Sequence, residues 1–260
     1  MSKSTVNQPS RSNQEYVMVD GVKKRNIAYE GKSNITSKLR GEVPVDQLSP
    51  GKQKEKSLVA QLLKDRSLKK EFTVNGKKIV ALDIDGVLAN FNKAMQPYGT
   101  DKARSEESPQ DYNYVQSGWF KNFDDFEKAH VTVMDKAENI PLNDATAPEA
   151  VNLLRKHGYD VIGVTARREE WRQGTLEFFK RNNIDIQDKD LHFSDKNNKT
   201  DTTHYDYILD DAPKNIVDAL QNSEADAVIY NQPYNTHLDG KRVNTVLEYA
   251  QYIIDKDKNS

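Results

Sequence analysis

The distribution of apolar residues changes near residue 71. Residues 1 to about 50 are rich in Ser, Asn, Gln, Lys and Pro and show no sustained period of 2 or 3.6, which is typical of a disordered or weakly structured segment. The next stretch predicts a short basic amphipathic helix at 52–71. Its apolar positions recur at helical spacing among lysines and arginines: Leu58, Leu62 and Leu63.

Beyond residue 71, short apolar runs alternate with amphipathic ones. The apolar runs predict strands at 77–85, 160–167, 205–211 and 225–230. The amphipathic runs predict helices at 146–158, 168–183, 213–222 and 242–256. Asn75-Gly76, between two β-prone runs, predicts a two-residue hairpin turn. Strands alternating with helices in this way predict an α/β, Rossmann-like fold, with a parallel sheet flanked by helices on both faces.

The connection after the first of these strands is unusually long. Roughly 55 residues separate it from the helix at 146, whereas βα loops usually have about 2–6. The stretch 110–138 within it is aromatic and helix-like. We therefore expect a helical cap at about 91–143 over the carboxyl edge of the sheet. The predicted organisation is an N-terminal extension at 1–70 and an α/β domain at 71–260.

Charge and composition narrow the function classes. Residues 1–72 carry 15 Lys/Arg against 8 Asp/Glu, while 73–260 carry 23 against 32, giving nets of +7 and -9 that sum to the overall -2. The basic extension would suit a nucleic acid. The chain has no cysteine, so any metal must be held by oxygen or imidazole. No apolar run approaches the ~20 residues that span a bilayer, and no secretory signal is visible, so we expect a cytoplasmic protein with no membrane partner.

Charged and hydroxyl side chains follow three of the predicted strands. They are Asp83 and Asp85, then Thr165 and Arg167, and finally the pair Asp210 and Asp211. Ligands of open α/β sheets bind at this edge. Four carboxylates meeting there would repel one another unless a cation joined them. A hard divalent ion, most simply Mg²⁺, is the cofactor that this arrangement predicts.

The two acids at Asp83 and Asp85 suit a reaction with two carboxylate roles. One carboxylate can attack an electrophile while the other moves a proton. A hydroxyl such as that of Thr165, with a lysine or Arg167, would hold an oxyanion. Phosphorus is the electrophile that fits these parts, because attack is in line and the leaving alkoxide needs a proton. The sequence therefore predicts a phosphomonoester substrate.

These motifs resemble those of the haloacid dehalogenase (HAD) superfamily of phosphohydrolases. The run Asp83-Ile84-Asp85-Gly86-Val87 is similar to the first motif of that family, Thr165 after VIGV to the second, and Asp210-Asp211 after YIL to the fourth. The third motif is a lysine upstream of the fourth. Lys199 and Lys196 both qualify by position, and Lys199 is the closer to the usual spacing. The resemblance covers roughly residues 77–255.

The resemblance implies a role for each matching residue. Asp83 would be the nucleophile and a metal ligand, and Asp85 the general acid/base that also offers its backbone carbonyl to the metal. Thr165, Lys199 and Arg167 would bind phosphate. Asp211, with Asp210 close by, would complete the metal site. The presence of Asp85 implies transfer of phosphate to water.

Within the superfamily, the chain looks most similar to the 5'(3')-deoxyribonucleotidase branch. The resemblance thus implies a Mg²⁺-dependent 5'-nucleotidase acting on nucleoside monophosphates through an aspartyl-phosphate. Aromatic residues of the cap would stack the base, among them Trp119, Phe120 and Phe123, although most cap aromatics are expected to pack its core. The alternatives are a polynucleotide end-phosphatase, since an arginine also follows motif two there, and a non-catalytic nucleic-acid-binding or scaffold protein.

Overall fold

The computed structural model describes residues 48–67, 76–194 and 198–259, together with the backbone of two short segments. These segments pair as an antiparallel hairpin of β1 (Tyr16–Val19) and β2 (Val22–Arg25). The rest of residues 1–47 lies outside the described residues, and so does Asn75 of the turn predicted at Asn75-Gly76.

The main sheet has six parallel strands in the order β5-β4-β3-β6-β7-β8. The strands are β3 (Ile79–Leu82), β4 (Asp160–Thr165), β5 (Leu191–Phe193), β6 (Tyr207–Asp210), β7 (Asp226–Tyr230) and β8 (Arg242–Val243). The first of them in the chain, β3, lies between β4 and β6. The order reverses there, which is where an open α/β sheet opens a crevice for a ligand.

Helices cover both faces of the sheet, as the pattern predicts. Val80 and Leu82 of β3 pack in one apolar cluster and Ala81 in the other, because side chains alternate across a strand. The helices on the first face are α5 (Ala147–Lys156), α6 (Arg172–Arg181) and α8 (Val246–Lys258). Those on the second face are α1 (Pro50–Ser67) and α7 (Pro213–Asn222).

The predicted strands and helices of the sheet domain are confirmed, with small shifts at their ends. The strands β5 and β8 were not predicted, because three and two residues are too few for a period of 2 to show. The residues of β8 were predicted as the start of the helix at 242–256, which begins only at Val246. The helix expected from 168 begins as one tight turn at Glu169–Trp171 and becomes regular only at Arg172.

The cap region contains three α-helices and two single 3-10 turns, at Gln96–Tyr98 and Ala137–Asn139, but the long helix-like stretch is only partly helical. The α-helices are α2 (Phe91–Met95), α3 (Lys102–Ser105) and α4 (Phe123–Met134). Residues 110–122 form turns instead. Two features explain this: Gly118 has a left-handed φ of +78°, and the Asn113 side-chain oxygen accepts from the backbone N–H of Val115 at 2.9 Å. Such a side-chain turn competes with helix.

Helix α1 packs on the sheet domain. Its Val59 is fully buried in the cluster formed with Ile216 and Ala219 of α7. The helix therefore lies on the sheet domain, and the boundary predicted near residue 70 falls outside the described residues. None of the helices in the described part of the chain is long and apolar enough to cross a membrane.

Candidate active site

Three adjacent strands bring the predicted motifs together. Asp83 directly follows β3, Thr165 ends β4, and Asp210 ends β6. The backbone N–H of Asp83 donates to the Leu209 carbonyl at 3.0 Å, so the pairing of β3 with β6 continues to the start of the motif. The carboxyl ends of the three central strands therefore meet at one edge of the sheet.

Three aspartates form a buried cluster at that edge. Ligand atoms of Asp83, Asp210 and Asp211 all lie within 4.8 Å of one another. The exposed fractions of these residues are 6%, 0% and 1%. Three carboxylates so close together and away from water repel one another strongly. The cluster therefore requires positive charge nearby.

Lys199 supplies part of that charge. Its ammonium group donates to a carboxylate oxygen of Asp83 and, at 2.7 Å, to Asp210 Oδ2, and the residue is only 2% exposed. Burial alone would lower the pKa of Lys199, but the charges of Asp210 and Asp83 raise it above its ordinary value. The lysine is therefore a fixed cation. The alternative third-motif residue, Lys196, lies outside the described residues.

The pKa values of the acids show that one ammonium is not enough. Burial raises the pKa of Asp83 from 3.8 to about 7, with a further contribution from Asp210, although Lys199 opposes the shift. Burial, followed by the charges of Asp83 and Asp210, raises the pKa of Asp211 well above its ordinary value. A second cation at the cluster would offset these shifts.

The two carboxylate oxygens of Asp211 differ: one accepts a hydrogen bond from a tyrosine hydroxyl, and the other has no hydrogen-bond partner among the described residues. The Tyr234 hydroxyl donates to Oδ2, and the Asn235 side chain donates to the Asp211 carbonyl at 2.8 Å. The other oxygen, Oδ1, is buried without a hydrogen-bond partner among the described residues. A buried, unpartnered carboxylate oxygen within an all-oxygen donor set fits a hard divalent cation. The three aspartates could hold a metal ion.

Gly86 makes room for Asp211. Its φ is +92°, and a β-carbon at this position would lie 2.3 Å from Asp211 Oδ2. The Gly86 carbonyl accepts from Asn143 at 2.9 Å and from Gln232 at 2.8 Å, which fixes the turn after β3. Only glycine fits both the backbone conformation and the space.

Asp85 does not share the cation of the aspartate cluster, because its partner is Arg167. Arg167 holds it through two hydrogen bonds, from Nε to Oδ2 at 2.8 Å and from Nη2 to Oδ1 at 2.7 Å. The third guanidinium nitrogen, Nη1, donates to the buried Thr175 hydroxyl at 2.8 Å. The Asp85 side chain remains 27% exposed. The two acids of the first motif thus have different surroundings, one buried beside a lysine and one at the cleft edge beside an arginine.

Thr165 lies at the end of β4 with its hydroxyl oxygen accepting from the Arg167 backbone N–H at 3.2 Å. It is 1% exposed. Among the described residues the Thr165 hydroxyl accepts this bond, which leaves its hydrogen able to point toward a ligand. Arg167, predicted to bind phosphate, instead uses its guanidinium to hold Asp85 and Thr175, an arrangement that favours a positioning role.

The predicted base-stacking residues divide into two groups. Trp119 and Phe120 are each 2% exposed and pack in the core of the cap, and this burial favours the core role over the stacking role. Phe123 is 45% exposed, at the start of α4. Tyr112, which is 40% exposed, packs against the tyrosine that donates to Asp211: its ring centroid lies 5.7 Å from that of Tyr234 in an edge-to-face arrangement.

The residues that support the aspartates were not singled out from the sequence. Asn215, in the first turn of α7, donates to both oxygens of Asp210, at 3.1 and 3.0 Å, and its place soon after the fourth motif was a usable signal. Tyr234 and Asn235 follow β7, and they contact Asp211 because β7 pairs with β6 in the folded sheet. No local pattern marks them.

Comparison with known proteins gives a distant likeness only. No family model matches the chain, and no curated protein matches it. Among solved structures, it is similar to one described as a dehalogenase, at 14% sequence identity and a TM-score of 0.45, covering 69% of this chain and 98% of that one. A likeness this distant says nothing about the reaction of this chain.

Fold and site together define an α/β protein with a candidate metal centre at the switch point of a parallel sheet. Beside that centre lie an arginine-held acid and an exposed tyrosine. This combination of groups is the basis for assigning a reaction.

Proposed function

We propose that the protein is a HAD-type, Mg²⁺-dependent phosphomonoesterase that acts on nucleoside monophosphates. One observation carries the proposal: Asp83 lies in a buried acidic cluster with Lys199, while Asp85, two residues later, is held apart by Arg167. Two carboxylates of one motif with opposite environments suit one nucleophile and one proton carrier.

Asp83 is the nucleophile in this proposal. Its carboxylate oxygen forms a bond to phosphorus while the bond from phosphorus to the leaving oxygen breaks, giving an aspartyl-phosphate. Lys199 lies against Asp83, so its charge favours the ionised form that attacks and stabilises the phosphoryl oxygens beside it. Mg²⁺ bound by Asp83, Asp210 and Asp211, with the Asp85 backbone carbonyl, would supply charge that neutralises the phosphate oxygens.

Asp85 moves the proton in both halves of the reaction. It gives a proton to the leaving alkoxide in the first half and takes one from the attacking water in the second, when the bond between phosphorus and Asp83 breaks. Its partial exposure, 27%, lets it reach both groups. Arg167 orients it, and the Thr165 hydroxyl donates to a phosphate oxygen.

The test is phosphate release from nucleoside monophosphates, sugar phosphates and 3'- or 5'-phosphorylated oligonucleotides, each with Mg²⁺ and with a chelator. We expect Mg²⁺-dependent release that is highest with nucleoside monophosphates and lost in Asp83→Asn. A wild-type protein that releases no phosphate from any of these compounds would disprove the proposal and leave the scaffold alternative.

The runner-up, an end-phosphatase for polynucleotides, is favoured by the net +7 of residues 1–72. Release from oligonucleotides alone, lost when residues 1–47 are deleted, would select it. That deletion keeps α1 and removes 8 Lys/Arg and 5 Asp/Glu, a net of +3 out of the +7. A loss of oligonucleotide activity would therefore identify residues 1–47 as part of the binding element.

A further inference from the structure

Helix α1 contacts two loops that border the aspartate cluster. Toward the cap, the Lys52 ammonium donates to the Gln110 carbonyl at 2.8 Å and lies 4.0 Å from the Asp111 carboxylate. Toward the loop after β7, Glu55 pairs with the buried His237 at 2.7 Å. Lys56 lies 3.9 Å from Asp239 in the same loop. One short helix face therefore joins segments that are far apart in sequence.

The cap segment that Lys52 holds is a compact turn that carries Tyr112. The Asp111 backbone N–H donates to Ser117 Oγ at 2.9 Å, and the Ser117 hydroxyl donates back to the Asp111 carbonyl at 2.8 Å. Asp111 and Ser117 are 8% and 6% exposed. Tyr112 thus projects from a fixed base and is itself 40% exposed.

The second loop carries the groups that hold Asp211. Tyr234 donates to the Asp211 carboxylate and Asn235 to its carbonyl, and His237 follows two residues later. Tyr112 and Tyr234 meet edge to face, with ring centroids 5.7 Å apart. The two loops that α1 contacts therefore also contact each other, through Tyr112 and Tyr234, next to Asp211.

We propose that α1 is a clamp for the candidate site and that Lys52 and Glu55 are its positioning residues. They hold the two loops together so that Tyr112 lies against Tyr234 and offers its free face to the aromatic leaving group of the substrate. The identity of that group rests on the proposed function; the clamp does not. An aromatic ring that is already immobilised loses less conformational entropy when it binds a planar group than a mobile ring does.

Lys52→Met tests the clamp, with Lys54→Met as its matched control. The substitution keeps the length of the side chain and removes the ammonium, and Lys54 lies on the same helix but is exposed. We expect faster hydrogen exchange at the amides of Asp111 and Ser117 in Lys52→Met and no change in Lys54→Met. Equal exchange in both variants would disprove the clamp whether or not the protein is a phosphatase.

A second measurement tests what the clamp does. In Lys52→Met we expect KM for a nucleoside monophosphate to rise about threefold or more, with kcat for glycerol phosphate unchanged, since lost positioning acts through binding of the leaving group. Tyr112→Ala should also raise KM for the nucleoside monophosphate, and the double variant should be less than additive, because the two residues act through one contact. Unchanged KM in Lys52→Met, despite faster exchange, would overturn the positioning role.

Discussion

Asp83 lies where its charge is unfavourable without a cation beyond Lys199. Its pKa is about 7 in the folded chain, against an ordinary 3.8. The folded state therefore binds the proton more tightly than the unfolded state. The contribution of Asp83 to the free energy of unfolding is therefore most favourable below pH 4 and is lost as the pH rises toward 7. A carboxylate with a lowered pKa shows the opposite pH dependence.

We therefore expect Asp83→Asn to stabilise the metal-free protein at pH 8. The gain should be absent well below pH 3.8, where Asp83 is protonated in both states, and it should grow from there up to pH 7. Since one pKa unit corresponds to about 1.4 kcal/mol, the gain in the free energy of unfolding is at most about 4 kcal/mol. Urea unfolding of both proteins with a chelator, across this pH range, measures it, and a difference that stays constant with pH would contradict it.

Gly86→Ala should weaken metal binding far more than it weakens the fold. The new methyl group would lie 2.3 Å from Asp211 Oδ2 and displace that carboxylate. Gly158→Ala is the matched control, because Gly158 has the same φ of +92° but no atom within 4 Å of an added β-carbon. Both variants should lose stability from backbone strain.

Only Gly86→Ala should bind Mg²⁺ about tenfold more weakly or worse, as expected when a metal ligand loses its orientation. Calorimetric titration of both variants with Mg²⁺ gives the comparison. Equal affinities would show that Asp211 is not held by this close approach.

At the scale of elements, Arg66 fixes the end of α1 to the end of α7. Its guanidinium donates to the carbonyls of Ala219 at 2.8 Å and Leu220 at 3.1 Å, and also to those of Ser223 and Ala225. The last carbonyls of a helix have no partner within it. A guanidinium in this place satisfies them and complements the negative end of the helix.

Arg66→Met should therefore destabilise the protein by about 1–3 kcal/mol, since several partly buried carbonyls lose a charged donor. Lys54→Met, on the exposed side of the same helix, should change stability little. The free energy of unfolding from urea titration measures both. A loss of similar size in the two variants would assign the effect to net charge instead.

The elements that could be predicted from sequence were those with a clear period or a strong terminus. Helix α7, opened by Pro213, begins and ends at the predicted residues. The stretch 110–122 could not be predicted, because its apolar spacing suits a helix while Asn113 and Gly118 enforce turns. In the site, Asp83 and Asp210 follow apolar strands and were visible, but Tyr234 and Lys52 contribute through contacts made only after folding.

At the scale of the whole molecule, α1 belongs to the sheet domain. Val59 is fully buried against α7, with Leu62 and Leu63 packed beside it. Burying such a side chain contributes about 1.5–3 kcal/mol. We therefore propose a boundary before residue 50 as the alternative to the predicted one near residue 70.

Deletion of residues 1–67 should consequently lower the melting temperature by several degrees or prevent folding, because it uncovers the apolar face of α7. Deletion of residues 1–47, which keeps α1, should leave the melting temperature close to that of the full chain. Calorimetry of the two truncated proteins decides between the two boundaries. Equal melting temperatures would place the boundary near 70 after all.

The order of strands in the sheet also bears on synthesis of the chain at the ribosome. The strand β3 is the first of the six to be made, yet it lies between β4 and β6. Until residue 210 has emerged, this apolar strand lacks one neighbour, and such an edge invites pairing with other chains. A truncated mRNA that ends before the codon for residue 210 should therefore yield a protein fragment that aggregates. The central position of β3, which brings three strand ends together around Asp83, is therefore expected to make incomplete chains that lack β6 more prone to aggregation than the full chain.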